Sequence, residues 1–142
     1  MLYLANDHRG FELMKQIIKY LEEHNIAYEH VGAFDAERSD FPIFAKIVNA
    51  NVIADSNNKG IYICGTGLGA CIAANRNKRI RAAVCNSIEV VKLAREHNDL
   101  NVLCLAGNTM KIDLAIEIIE AFLTTPFNGG RYAERITMLY DL

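Results

Sequence analysis

The sequence predicts an α/β protein in which five parallel strands are covered by helices on both faces. Three observations carry that expectation. Short apolar runs alternate with longer stretches of helical period along the whole chain. One run, Ile61-Tyr62-Ile63-Cys64, is apolar throughout, as a strand buried on both faces should be. The length of 142 residues suits one domain, 1–142, and not two of ordinary size.

The elements follow in order. Leu2-Tyr3-Leu4-Ala5 reads as a strand ending at the polar cluster Asn6-Asp7-His8-Arg9-Gly10. Leu13, Ile17 and Leu21 recur at four-residue spacing, the mark of a helix with one buried face. Ala27 to Val31 reads as a second strand, followed by a polar loop carrying Asp35, Glu37, Arg38, Ser39 and Asp40. Pro42 suits the first turn of a helix, where its missing N–H costs little, and Phe44, Ile47 and Val48 supply the apolar face. Asn57-Asn58-Lys59-Gly60 punctuates before the third strand, Ile61–Cys64. Gly65-Thr66-Gly67-Leu68-Gly69 then leads into Ala70-Cys71-Ile72-Ala73-Ala74, which favours helix. Arg81 to Cys85 and Asn101 to Leu105 read as two more strands, each followed by a helical stretch. Asp113 to Phe122 is the clearest of these, with Leu114, Ile118 and Phe122 on one stripe. Pro126 stops it, Gly129-Gly130 turns the chain, and Arg131 to Leu139 forms a final short helix. The expected result is a three-layer α/β/α, Rossmann-like fold. Ligands bind such sheets beyond the carboxyl ends of the strands, which singles out the loops at 6–10, 64–69, 85–87 and 106–111.

Composition excludes several function classes. Lysine plus arginine number 15 and aspartate plus glutamate 17, a net charge of −2, which argues against a nucleic-acid or membrane-surface partner. Hydrophobic residues make up 51% and charged residues 23%, enough for a packed core. No apolar run approaches the ~18 residues of a membrane span. Met1-Leu2-Tyr3-Leu4-Ala5 lacks the apolar stretch of a secretory signal, so a cytoplasmic protein with reduced cysteines is expected. Cys64, Cys71, Cys85 and Cys104 show no C-x-x-C spacing, and Cys64 and Cys71 lie too far apart for an ordinary zinc knuckle.

The loop at 64–69 carries the most chemistry. Alternating glycines let the backbone approach a ligand, and several N–H groups would converge beside a helix N-terminus. Such a nest suits a phosphate or a developing oxyanion. Cys64 sits at the strand end facing that spot, as a candidate base or nucleophile. The alternative is a buried cysteine before a tight glycine turn. The dinucleotide fingerprint fails, because the glycines run G-x-G-x-G and follow the third strand. A P-loop fails because no lysine follows Gly69. A cysteine-phosphatase loop fails because Ala70 stands where its arginine should be.

Other candidates lie apart from this loop. Asp7 and His8, on the same sheet edge, could exchange protons with a sugar hydroxyl. The alternative is a solvated turn in which the aspartate caps the next helix. Arg95-Glu96-His97-Asn98-Asp99 is a second polar cluster at a helix end, where histidines are often surface residues. Arg131 and Arg135 share one helix face and could clamp a phosphate, or be solvated arginines beside Glu134. Cys71, Cys85 and Cys104 sit in apolar surroundings and read as core.

Taken together these residues resemble a known family. Asp7-His8-x-Gly10-Phe11-Glu12-Leu13, Ile63-Cys64-Gly65-Thr66-Gly67-Leu68-Gly69, Ile72-Ala73-Ala74-Asn75, Arg95-Glu96-His97-Asn98-Asp99 and Gly129-Gly130-Arg131 are similar to ribose-5-phosphate isomerase B. The motifs occur in family order over nearly the whole chain. The wider family includes galactose-6-phosphate isomerase subunits and enzymes acting on allose 6-phosphate. The resemblance implies interconversion of ribose 5-phosphate and ribulose 5-phosphate, in the non-oxidative branch of the pentose phosphate pathway, without metal or organic cofactor. It implies that Cys64 moves a proton between C1 and C2 through a cis-enediolate, assisted by Thr66. The backbone of Gly65, Thr66, Gly67, Leu68 and Gly69 would stabilise the enediolate. His97 would help to open the furanose ring, with Asp7 a partner in hydroxyl proton transfer. His8, Asn98, Arg131 and Arg135 match substrate-binding positions. The resemblance further implies a homodimer, or a tetramer built from dimers, with sites shared between subunits.

One departure stands out. Where the family usually carries a phosphate-contacting arginine after the strand at 102–105, this chain has Asn108, while Arg9 stands beside Asp7 and His8. Arg9 is expected to restore part of the missing charge. Two other functions remain open: a hexose-6-phosphate isomerase of the same fold, and a non-catalytic phosphosugar-binding module. Retention of Cys64, Thr66 and His97 together argues against the latter.

Overall fold

The structure, a computed structural model, describes residues 1–142. Its elements are β1 (Leu2–Asn6), α1 (Phe11–Glu23), β2 (Tyr28–His30), α2 (Phe41–Ile53), β3 (Lys59–Cys64), α3 (Leu68–Ala74), β4 (Ala82–Val84), α4 (Ile88–Asn98), β5 (Val102–Ala106), α5 (Ile112–Thr124) and α6 (Arg131–Leu139). The strands form one parallel sheet in the order β2-β1-β3-β5-β4, the expected three-layer architecture.

Alternation along the strands sorts side chains to the two faces. Leu4 of β1, Ile61 and Ile63 of β3, and Leu103 and Leu105 of β5 pack against Leu13, Ile17, Val91, Ile118 and Phe122 of α1, α4 and α5. Ala5, Tyr62, Cys64, Val102 and Cys104 face the other way, against Ala45, Val48 and Val52 of α2 and Ala70 and Ala74 of α3. Each fully buried leucine or isoleucine contributes about 1.5–3 kcal/mol of transfer free energy. The α1 crossover leads to β2 and the α2 crossover returns, on the opposite face, to β3. The chain thus reverses direction between β1 and β3, and the loops leaving these two strands flank the crevice where such sheets bind ligands.

Three packing expectations differ from what is observed. On α2, Val48 is buried, but Ile47 is 37% exposed and Phe44 half-buried; Ala45, Asn49 and Val52 complete the inward face. That helix is apolar nearly all round, so its period does not choose a face. On α5, Ile118 and Phe122 are buried while Leu114 is 37% exposed, because the inward stripe begins at Ala115. Cys85 and Cys104 are core residues, but Cys71 is only half-buried. The neighbouring Cys104 thiol, more than any other group, pulls the Cys71 thiol down to about 6, against the effect of burial.

Candidate active site

At the carboxyl edge of the sheet, β3 ends in Cys64, 5% exposed and turned toward α3. Its Sγ accepts the Ala70 N–H at 3.4 Å. The loop that follows is pinned by β5, for Gly107 N donates to the Cys64 carbonyl at 2.8 Å and Asn108 N to the Gly65 carbonyl at 3.0 Å. Gly67 adopts φ +79°, and a methyl group there would meet the Leu105 carbonyl at 3.2 Å. Only glycine takes that conformation without strain. The N–H groups of Gly65, Thr66 and Gly67 make no bond within the chain. Thr66 is exposed, and its Oγ1 accepts Leu68 N at 3.2 Å. The expected helix N-terminus is slight, since α3 has only 7 residues; the free donors belong to the loop.

β1 delivers Asp7 and His8 to the same edge. Asp7 is 5% exposed, and its Oδ1 accepts Arg9 N at 2.8 Å and Gly10 N at 3.1 Å. The aspartate therefore closes the turn ahead of α1, but it is buried and α1 takes Gly10 as its N-cap with no side-chain cap, so the expected solvated capping turn does not form; Oδ2 remains unbonded. His8 is half-buried and tied to Ser39. A methyl group on Gly65 would lie 3.0 Å from the Asn108 amide nitrogen and 3.6 Å from Arg9 Cβ. Arg9 and Asn108 therefore border the first glycine of the loop.

The remaining candidates occupy the opposite edge. α4 runs back along the sheet, so His97 and Asn98 lie where β4 and β5 begin. Arg81, just before β4, donates to the Asp99 carboxylate at 3.1 Å. Arg95, 6% exposed, donates to Asp99 at 2.9 Å and to the Leu100 carbonyl at 2.6 Å. Arg95 and Asp99 thus fasten the end of α4, which leaves His97 and Asn98 of that cluster as its candidates for a ligand. The His97 ring stacks on Tyr132 at 4.4 Å between centroids and 9° between planes. The guanidinium carbons of Arg131 and Arg135 lie 5.1 and 5.7 Å from the same ring. A pocket of about 300 Å³ is lined by His97, Asn98, Tyr132 and Arg135.

One chain therefore builds two separate groups. Cys64, Gly65–Gly69, Asp7 and His8 share the carboxyl edge, while His97, Asn98, Arg131 and Arg135 share the amino edge. Strands advance about 3.3 Å per residue, so Lys59–Cys64 alone separates the edges by about 16 Å. Sequence reasoning missed Tyr132, although its place between two arginines on one helix was a usable signal. It gave Ser39 no role, since nothing local reveals a partner 31 residues away.

Comparison with known proteins places these features in context. Residues 2–139 match the family described as Ribose/Galactose Isomerase. Ribose-5-phosphate isomerase B of Escherichia coli is 38% identical over 130 residues, covering 92% of this chain and 87% of that protein. The crystal structure of a ribose 5-phosphate isomerase from Thermotoga maritima superposes with a TM-score of 0.96 at 40% identity, covering 99% of this chain and 97% of the other. Ribose-5-phosphate isomerase B of Mycoplasma genitalium, solved with bound ribulose-5-phosphate, gives a TM-score of 0.92 at 36% identity, over 99% and 93% of the two chains.

Proposed function

The chain belongs to the ribose/galactose isomerase family and is an aldose–ketose isomerase acting on ribose 5-phosphate; on that premise we propose that Cys64 is its base and that a second copy completes each site. The observation that carries this reading is the Cys64 sulfur at the root of a loop with three unbonded N–H groups. Isomerisation takes the proton from C2 of the open-chain aldose and returns it to C1, while a hydroxyl proton passes from the C2 oxygen to the C1 oxygen. A carbon acid of this kind is weak, so a base alone does not suffice. Donors at 65–67 would hold the enediolate oxygens, each contributing about 3 kcal/mol in the transition state. Asp7 Oδ2 is available for the hydroxyl proton, and Thr66 assists at the loop.

His97, Asn98, Arg131 and Arg135 suit ring opening and phosphate binding, but cannot reach Cys64 of their own chain. A twofold arrangement bringing the amino edge of one copy to the carboxyl edge of another would unite them. Exposed apolar side chains on α2 and α3, Ile43 (56%), Leu68 (59%) and Ile72 (68%), support an interface there. The chain has no helix long and apolar enough to cross a membrane. Its cysteines are free thiols; we place the enzyme in a reducing compartment, the cytoplasm.

The test is conversion of ribose 5-phosphate to ribulose 5-phosphate by the wild type and by Cys64→Ala. The variant is expected to lose about 10³-fold in kcat, and full activity in it would remove Cys64 from the mechanism. The family description also names galactose, so a hexose 6-phosphate is the second reading. Turnover of galactose or allose 6-phosphate with none of the pentose phosphates would favour it.

A further inference from the structure

The loop between β2 and α2 meets the end of β1 through a reciprocal pair of bonds. The His8 backbone N–H donates to Ser39 Oγ at 3.1 Å, and the Ser39 backbone N–H donates to His8 Nδ1 at 3.3 Å. A backbone amide nitrogen can only donate, so Nδ1 must accept and the neutral ring carries its proton on Nε2. The other tautomer would set two N–H groups head to head. Both ends of the loop are anchored. Asn6 Nδ2 donates to the Ala33 carbonyl at 3.2 Å, and Tyr62 OH donates to the Phe41 carbonyl. Ser39 therefore presents its two groups to His8 from a held backbone.

We propose that Ser39 is a positioning residue that selects the His8 tautomer and makes Nε2–H a hydrogen-bond donor for a substrate oxygen. Nε2 makes no bond within the chain, whereas Nδ1 is occupied. His8 shares the carboxyl edge with Asp7 and Cys64, where an oxyanion or phosphate oxygen needs donors and a lone-pair nitrogen would repel it. The serine thus acts through the histidine and does not itself touch the sugar. This inference rests on the reading of His8 as a substrate contact.

The experiment has two arms. In the first, ¹⁵N spectra of the histidine side chains are recorded on the ligand-free wild type, with the His8 signals assigned through their loss in His8→Asn. The expected spectrum of neutral His8 has a proton on Nε2 and none on Nδ1; a proton on Nδ1 would overturn the proposal. In the second arm, Ser39→Ala removes the Oγ acceptor and loosens the amide contact. It is expected to raise KM for ribose 5-phosphate about fivefold, with kcat within about twofold, and to mix the two tautomers. Ser39→Thr, which keeps both bonding groups, is expected to restore the wild-type values. A Ser39→Ala protein with unchanged KM and unchanged spectrum would also overturn it. If the wild type turned over no ribose 5-phosphate, the isomerase reading would fail while the tautomer spectrum still judged Ser39.

Discussion

The Asp7 carboxylate commits one oxygen to the fold and leaves the other free. Its Oδ1 satisfies the Arg9 and Gly10 amides at the entry to α1, and its Oδ2 stays available at the sheet edge. Neither reading of this residue available from sequence describes it fully: the carboxylate closes the turn ahead of Gly10 without capping α1, and its part in proton transfer is our proposal for the free Oδ2. Arg9 follows from that turn, because its backbone is held by Asp7 and its Cβ lies beside Gly65. The side chain is exposed and makes no ion pair with any carboxylate of the chain. Arg9→Ala is expected to raise KM for the phosphosugar about tenfold, the size of a lost charge-assisted bond, with kcat little changed. A phosphate is equally charged in ground and transition states, so a loss confined to kcat would instead put Arg9 at the enediolate. An unchanged KM would exclude a charge role.

At the scale of elements, the β3–α3 loop was legible because glycine spacing reports backbone demands directly. Gly67 is the position where this can be tested. A Gly67→Ala variant must hold φ +79° with a side chain pressed on the Leu105 carbonyl, costing about 1–2 kcal/mol of stability. It should also displace the 65–67 donors and lower kcat by on the order of ten- to a hundredfold. Denaturant melts with steady-state kinetics check both figures, and a variant as stable and active as wild type would contradict the account. Helix faces were less legible. α2 carries apolar side chains inside and outside, so Ile47 looked inward from sequence and lies outward in the fold. Arg95 and Asp99 were hidden differently. Motif and spacing marked a polar cluster, but only the return of β4 and α5 to the end of α4 shows these two residues to be internal fasteners.

For the whole molecule, strand count, parallel direction and the loops at the ligand-binding edge could all be read from alternating runs and turn residues. The separation of the site residues could not. His97 and Arg131 look compatible with Cys64 in a list of motifs, yet α4 carries His97 the full depth of the sheet away from the end of β3. Topology imposes that separation, and a short periodic sequence does not display strand order. From that separation follows our central proposal: the Cys64 group at one edge would be completed by the His97 and arginine group of another copy. Mixing two separately inactive variants, Cys64→Ala and His97→Ala, under conditions that let subunits exchange tests it most directly. In a hybrid dimer one site would hold both substitutions and the other neither, so an equal mixture should regain about a quarter of wild-type activity. A mixture that exchanges subunits and yet stays as inactive as its two components would show that Cys64 and His97 do not meet across copies.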